Sequence, residues 1–147
     1  MIIIPHMLVG AAIGAYSKNI GAAFLFGLVS HYLIDFLPHW EYLTEIRILK
    51  ISDALKISAD FFLGLALVSV LFWNSPGKII IAAAIVGSLI PDGLCFLSGI
   101  YNGFGSKILK AHFSFHYKIH YFKNLSFWQG LPATLAVLLI SFFLIWG

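Results

Sequence analysis

Apolar residues occur along the chain in five long runs, separated by polar turns and charged stretches. The runs extend over 2–16, 20–37, 54 or 60 to 73, 78–100 and 130–146. A helix needs about 20 apolar residues to cross the hydrocarbon core, within a range of roughly 17–25. The first run is short and the second is borderline. The pattern predicts five apolar helices, of which the first two tilt little, pair as a hairpin or lie where the bilayer is thin.

Turn and breaker residues refine this outline. The stretch Asn74-Ser-Pro-Gly predicts a turn, so the third and fourth helices are expected to form an antiparallel pair. Pro91 lies inside the fourth run and predicts a kink just before Asp92, with a carbonyl freed near that carboxylate. Between Lys107 and Lys123, lysines alternate with aromatic residues, which is typical of an amphipathic helix at the membrane interface. The predicted fold is an all-α, polytopic transmembrane bundle of about five apolar helices plus one amphipathic interfacial helix.

The composition supports the membrane class. The 147 residues are 61% hydrophobic and only 10% charged, and the mean hydropathy is +0.96. A soluble domain of this size cannot bury so much apolar surface. No linker or charge block divides the chain, which predicts one integral membrane domain over 1–147. The first residues lack a basic stretch and a small-residue cleavage site, so we interpret them as mature protein rather than as a signal peptide.

The basic residues are distributed unevenly among the loops. If each apolar run crosses once, one side receives only Lys18 and Lys78. The other side receives seven, namely Arg47, Lys50, Lys56, Lys107, Lys110, Lys118 and Lys123. Cytoplasmic loops carry such an excess, which predicts a prokaryotic cytoplasmic (inner) membrane protein with its N-terminus and both long loops in the cytoplasm. The modest net charge of +3 then reflects topology, and we expect no nucleic-acid partner.

Asp92 is the one charged side chain between Lys78 and Lys107, and it lies within an apolar run. A carboxylate at membrane depth costs a few kcal/mol on insertion scales, so it indicates a functional site by default. The predicted topology puts Asp92 on the same side as most other histidines and aspartates. These are His6, His31, Asp35, His39, Asp60, His112, His116 and His120. Their common side predicts a single site.

His31 and Asp35 stand four residues apart in Ser30-His-Tyr-Leu-Ile-Asp-Phe-Leu-Pro-His. On a helix this spacing puts both side chains on one face, and His39 extends that face or caps it from the loop. Imidazole and carboxylate ligands together suit zinc, manganese or iron. A His–Asp hydrogen bond that holds two membrane helices together uses the same pair, so a purely structural role stays open.

Three histidines, His112, His116 and His120, recur at four-residue intervals in the interfacial segment. An interfacial helix explains the lysines and aromatic rings around them but not the histidines, so we expect one or two to face the site. His116 is the first candidate, and His112 and His120 are secondary candidates. Asp60 is the candidate catalytic residue, either as general base or as the hydrogen-bond partner of a ligating histidine.

Other residues receive structural interpretations. The charged residues between the second and third runs are interpreted as a solvated face: Glu41, Glu45, Arg47 and Asp53. The single cysteine, Cys95, excludes an intramolecular disulfide and is expected to be a buried packing residue. Several glycines are expected to let helices approach closely: Gly10, Gly14, Gly21, Gly27 and Gly64.

Short motifs resemble those of the YdjM-type family of membrane-bound metal-dependent hydrolases. They are Pro5-His-Met-Leu-Val-Gly, Gly27-Leu-Val-Ser-His-Tyr-Leu-Ile-Asp-Phe-Leu-Pro-His and Gly87-Ser-Leu-Ile-Pro-Asp, with Phe115-His similar to a further family histidine. The resemblance implies a helical membrane protein with a His/Asp metal centre. It also implies distant kinship with zinc-dependent phospholipase C and related nucleases, hence phosphoester hydrolysis. The ligand set carried over is His6, His31, Asp35, His39, Asp92 and His116. The chain departs from the family pattern in lacking a Thr-His-Ser after an Arg-Gly turn.

The expected function is therefore a membrane-bound hydrolase with one or two divalent ions, zinc first, that activate water and polarise a phosphoryl or acyl oxygen. Because the site is expected to open near the headgroup layer, a membrane lipid phosphoester is the expected substrate. One alternative is a transport protein for divalent ions or protons, which also uses intramembrane histidines and aspartates. Transport sites lie near the midplane, whereas these residues are predicted on one side. The other alternative is a non-enzymatic structural protein. The oligomeric state does not follow from the sequence.

Overall fold

The computed structural model describes residues 1–41, 51–100, 106–119 and 125–146. Within these ranges the chain forms six helices and no strand. They are α1 (Ile3–Tyr16), α2 (Ile20–Asp35), α3 (Ile51–Leu71), α4 (Lys78–Ile100), α5 (Ser106–Ile119) and α6 (Phe127–Trp146). The helices α3, α4 and α6 are long and apolar enough to cross a membrane, and α1 and α2 are shorter apolar helices. The predicted all-helical membrane fold is confirmed.

Large apolar side chains on the outside of the bundle agree with a lipid environment. Leu63 of α3 is 66% exposed, and Phe143 and Trp146 of α6 are 74% and 78% exposed. Soluble monomers rarely expose contiguous apolar surface of this kind. The outer faces of these helices are therefore suited to contact with acyl chains.

The helices α1 and α2 form a hairpin, one of the predicted arrangements. The chain leaves α1 at Ser17, and the Asn19 side chain accepts a hydrogen bond of 3.0 Å from the backbone N–H of Ala22. An Asn at this position satisfies one of the unpaired N–H groups of a helix start. The short link reverses the chain, so the beginning of α1 and the end of α2 lie at the same end of the bundle.

The centre of the bundle is α4, which packs most extensively against α2 and α1. Close approach of α2 and α4 depends on Gly27 and Gly87, since a Cβ at either position would lie against the backbone of the other helix. Predicted close contacts of three other glycines are also present: Gly10 and Gly14 against α4, and Gly64 against the side chain of Met7. The prediction is wrong for Gly21, where a Cβ would meet only the Asn19 side chain.

Pro91 lies inside α4 without ending it, because the helix continues to Ile100. Proline has no N–H, so the carbonyl of Gly87, four residues earlier, lacks its usual helical donor. Pro91 itself is fully buried. The freed carbonyl expected from the sequence therefore lies one turn before Asp92.

The turn between α3 and α4 is present as predicted, with the backbone N–H of Ser75 donating to the Phe72 carbonyl at 3.1 Å. Val68 of α3 and Ile81 of α4 share an apolar cluster with residues of α1 near this turn. The main packing partner of α3 is nevertheless α1 rather than α4. The antiparallel pair is thus held together through α1.

The amphipathic helix α5 packs on α4. Its lysines Lys107, Lys110 and Lys118 are exposed, whereas His116 is buried. This division of charged and buried faces is the one predicted for an interfacial helix. Of the predicted residues, Glu45, Arg47, Lys50, His120 and Lys123 lie outside the described residues.

Candidate metal centre

Four side chains from three helices converge at one end of the bundle. His31 and Asp35 come from the last turns of α2, Asp92 from α4 and His116 from α5. One ligand atom from each of the four lies within 4.8 Å of the other three. His31, Asp35 and His116 are buried, and 33% of the Asp92 side chain is exposed. We refer to these four residues as the His/Asp cluster.

The distances within the His/Asp cluster suit a metal ion. His31 Nε2 lies 2.9 Å from Asp35 Oδ2 and 3.7 Å from Asp92 Oδ1. His116 Nε2 lies 3.3 Å from Asp35 Oδ2 and 3.5 Å from Asp92 Oδ1. Tetrahedral zinc with bonds of about 2.0–2.1 Å separates its ligand atoms by roughly 3.3–3.4 Å. The Nε2 atoms of His31 and His116 are 2.9 Å apart, and all four ligand atoms lie within 4.8 Å of one another. The cluster therefore has the residue types and the spacing needed to hold one metal ion.

The hydrogen bond of His31 to the α4 backbone orients its ring toward the cluster. His31 Nδ1 lies 2.7 Å from the carbonyl oxygen of Ser88. Because a carbonyl only accepts, Nδ1 carries the proton, and the Nε2 of a neutral ring then has a free lone pair. That lone pair faces Asp35 Oδ2 at 2.9 Å. Two acceptors this close need a cation or a further proton between them, and metal-binding histidines are oriented by such hydrogen bonds.

The negative charges of the two carboxylates also favour a metal ion in the cluster. Asp35 and Asp92 bring two negative charges into a mostly buried place, and buried charges persist only where they are compensated. One divalent cation compensates both.

His6 lies beside the cluster, against the second oxygen of Asp35. Its Nε2 is 3.1 Å from Asp35 Oδ1, and its ring stacks on that of His31 with the centroids 4.2 Å apart. Both ring nitrogens are buried. His6 is therefore held beside the cluster by the Asp35 carboxylate and by the ring of His31.

The Met1 ammonium also contacts Asp35 Oδ1, at 2.6 Å, and Glu41 Oε1, at 3.1 Å. Burial lowers the pKa of this ammonium, but the carboxylates of Asp35, Glu41 and Asp92 raise it by more, so the net pKa lies above its ordinary value. Asp35 therefore has a cation against one oxygen and the His/Asp cluster against the other.

His39 is placed next to Glu41 rather than in the cluster. His39 Nδ1 donates to the Leu37 carbonyl at 2.7 Å, and its Nε2 faces Glu41 Oε1 at 3.0 Å. The side chain of Glu41, which was interpreted as part of a solvated face, is 39% exposed, and its carboxylate also contacts His39 and the Met1 ammonium. Glu41 follows His39 by two residues, and this short separation is the sequence feature that could have predicted their contact.

Asp60 is a residue of α3 whose side chain contacts the start of α1. It is not among the four residues of the cluster. Its Oδ2 accepts a hydrogen bond of 2.7 Å from the backbone N–H of Ile3, and its Oδ1 accepts one of 3.4 Å from Ile4. The first N–H groups of a helix have no partner within the helix, and Ile2 supplies no side-chain cap. Asp60 thus caps α1 from a different helix, and its catalytic role stays a prediction.

We expect Asp60→Ala to lower the free energy of unfolding by about 1–2 kcal/mol, as for the loss of other helix caps. Asp60→Asn keeps an oxygen acceptor and is expected to lose much less. Thermal unfolding in detergent, followed by circular dichroism, measures both variants, with metal content as a second readout. Equal stability of wild type and Asp60→Ala would contradict the capping role. A stable Asp60→Asn that binds metal but has no hydrolytic activity would instead support the general base.

The structure separates the histidines of α5. His112 Nε2 donates to the Pro91 carbonyl at 3.1 Å, and the rings of His112 and His116 are 5.9 Å apart. Only His116 belongs to the four residues that converge. Of the predicted ligands, the structure therefore brings His31, Asp35, Asp92 and His116 together, places His6 beside them and leaves His39 against Glu41. Cys95 is buried, as expected of a packing residue.

Comparison with protein-family models, curated proteins and solved structures returned no match to this chain.

Proposed function

We propose that the protein is a membrane-bound metal-dependent hydrolase that acts on a phosphoester of a membrane lipid. The observation that carries the proposal is the convergence of His31, Asp35, Asp92 and His116 from three helices. A divalent ion held by these residues would activate water and polarise a phosphoryl oxygen. The mixed imidazole and carboxylate ligands favour zinc, with manganese or iron as alternatives. The resemblance of the sequence motifs to the YdjM-type family supports the same chemistry.

Three residues at the site have different roles in the proposed reaction. The Ser88 carbonyl accepts a hydrogen bond from His31 Nδ1, which would keep the other ring nitrogen available to hold a metal ion. Asp35 is fully enclosed and positions the cluster relative to α1. The partly exposed Asp92 side chain marks the side from which a substrate reaches the site.

The position of the site favours a substrate at the membrane surface. α2 ends at Asp35 and α1 begins at Ile3, so the cluster lies at one end of both helices. The exposed lysines of α5 are suited to attract an anionic headgroup to that end. With the positive-inside rule, this end is proposed to face the cytoplasm of a prokaryotic cell.

The same position argues against transport. Carriers place their ligands near the midplane, between repeated halves that open alternately to the two sides. A cluster at the ends of α1 and α2 has no such symmetric access. We therefore favour hydrolysis over transport.

We expect zinc-loaded protein in phosphatidylcholine vesicles to release inorganic phosphate from added phosphatidic acid, or a phosphorylated headgroup from a phosphodiester lipid. Removal of the ion with a chelator, or the substitution His31→Ala, should lower the rate by roughly a thousandfold. This follows because a metal Lewis acid supplies several kcal/mol of transition-state stabilisation, at about 1.4 kcal/mol for each tenfold. Phosphate assay and lipid mass spectrometry measure the products.

His112→Ala is the matched control, since it removes a histidine from α5 without removing a member of the cluster. It should retain most of the activity. If the protein binds zinc stoichiometrically but cleaves none of these lipids, the hydrolase proposal is contradicted. The result would then support a metal-binding membrane protein without this activity.

A further inference from the structure

A cleft of about 350 Å³ lies beside the metal centre, between α1, α3 and α4. Most of its wall is apolar, formed by Ile3, Ile57, Phe61, Leu89 and Phe96. Its polar lining comes from the site itself, since Asp92, Glu41 and Met1 also contribute to the wall. The cleft thus joins an apolar space to the partly exposed member of the His/Asp cluster.

We propose that this cleft binds one acyl chain of the lipid whose phosphoester lies at the metal centre. The inference rests on the proposed function and narrows its substrate to lipids whose acyl chain begins within a short distance of the scissile phosphate. A small polar phosphoester would leave the walls formed by Phe61 and Phe96 uncovered. An acyl chain covers them while its polar end stays near Asp92.

The size of the cleft suits part of an acyl chain. Taking about 30 Å³ per small group, which is the volume of a water molecule in the liquid, the space holds about twelve methylene-sized groups. Ligand pockets in proteins commonly measure roughly 300–1,000 Å³. One chain therefore fits with its far end outside the cleft, in the surrounding bilayer.

The arrangement of α3 gives the chain a way in from the bilayer. Because α3 packs mainly on α1, its residues Ile57 and Phe61 face the cleft while Phe62 and Leu63 are exposed on its outside. The two helices share the apolar cluster of Val68 and Ile81 near their turn. Farther from the turn they border the cleft, so a lipid can enter sideways between them.

A second apolar groove, between α1, α2 and α6, provides a contrast. It measures about 730 Å³ and is lined by residues such as Val9, Phe26, Leu33 and Ile140, with no charged side chain among its lining residues. None of the four residues of the His/Asp cluster lines this groove. It therefore serves as an internal reference for ordinary contact with the bilayer.

The test uses phosphatidic acid that carries a photoreactive diazirine on the part of one acyl chain nearest the phosphate, in phosphatidylcholine vesicles containing the full-length protein. After irradiation, peptide mass spectrometry locates the adducts, with zinc and with chelator. We expect adducts on Ile57, Phe61 and Phe96 to exceed those on Phe26 and Leu33. Both conditions are informative, because the labelled chain stays on the lipid whether or not its phosphate is released.

Two substitutions narrow the cleft from opposite walls, Ile57→Trp on α3 and Phe96→Trp on α4. Each should lower adduct formation in the cleft by roughly tenfold, since overfilling a packed space is strongly unfavourable. Leu63→Trp makes the same kind of change on the outer face of α3 and should have no effect. Size-exclusion chromatography and circular dichroism establish that each variant is folded.

Equal labelling of the cleft and the second groove, or labelling unaffected by both tryptophans, would overturn the inference. Hydrolysis without cleft adducts would also overturn it while the proposed function stands. Cleft adducts without any hydrolysis would support the acyl-chain site and reject the hydrolase.

Discussion

Asp92→Asn and His31→Ala are expected to lower zinc affinity by at least about 100-fold, because loss of even an outer hydrogen-bond partner of a ligand costs 10–100-fold. Wild-type protein purified in detergent should carry close to one zinc, manganese or iron ion per chain. Inductively coupled plasma mass spectrometry measures the content, and competition with a chelator measures the affinity. The two variants should carry little or no metal.

Of the two substitutions, Asp92→Asn is expected to affect metal binding with less effect on folding. The amide has the shape of the carboxylate, and 33% of the Asp92 side chain is exposed, so folding should tolerate the change. His31→Ala removes a fully buried ring that bonds to the α4 backbone, and it is expected to cost stability as well. Circular dichroism of each variant therefore accompanies the metal analysis.

His112→Ala again serves as the matched control and should keep its metal. This comparison decides between the histidines of α5, since His112 and His116 stand one helical turn apart. No bound metal in wild type, even after divalent ions are offered, would reject the metal centre. Loss of stability in His31→Ala without any metal to lose would then support the alternative in which the cluster only holds helices together.

Gly87→Ala is expected to destabilise the bundle by about 3 kcal/mol or more, at the upper end of the usual effect of overpacking. A Cβ at Gly87 would lie against the backbone carbonyl of Phe24 in α2. A backbone atom cannot turn aside as a flexible side chain does, so α2 and α4 must separate. Since α2 carries His31 and Asp35 while α4 carries Asp92, metal binding should weaken together with stability.

Gly93→Ala is the matched control, because it makes the same change in the same helix. A Cβ at Gly93 has no neighbouring atom within 4 Å. Alanine is favoured over glycine in a helix interior by about 1 kcal/mol, so Gly93→Ala should be neutral or stabilising. Thermal unfolding in detergent compares the two variants. Equal unfolding temperatures would show that close contact of α2 and α4 is not what holds the bundle together.

Most of the fold follows from the distribution of apolar residues. The predicted fourth run coincides with α4 at Lys78–Ile100, and the first begins one residue before α1. α3 starts earlier than its apolar run, at Ile51, because polar side chains such as Ser52 and Asp53 are compatible with a helix that extends beyond the hydrocarbon. α6 also starts earlier, at Phe127.

The start of α6 had a local signal in the sequence. The Ser126 backbone N–H and hydroxyl both donate to Gln129 Oε1 at 3.0 Å. Serine followed three residues later by glutamine is the capping-box pattern that precedes many helices. The polar residues before the apolar run therefore belong to the helix, and the pattern identifies its first turn.

The site was predictable where it depends on spacing within one helix. His31 and Asp35 share a face of α2 because helical geometry places residues four apart together. The same rule gives no choice between His112 and His116, which the packing of α5 on α4 separates. It also gives no information on Glu41, whose contacts with His39 and Met1 arise in the chain after α2.

The membrane class, the helices and the residue types available for a metal centre were predictable from the sequence, since these depend on hydrophobicity and on local backbone geometry. Which of those residues meet became clear from the packing of the helices. Contact between helices depends on how closely their backbones pack, here at Gly27 and Gly87, and on the rotation of each helix about its axis. Both are properties of the whole bundle, because each helix takes the position in which all of its neighbours are packed at once.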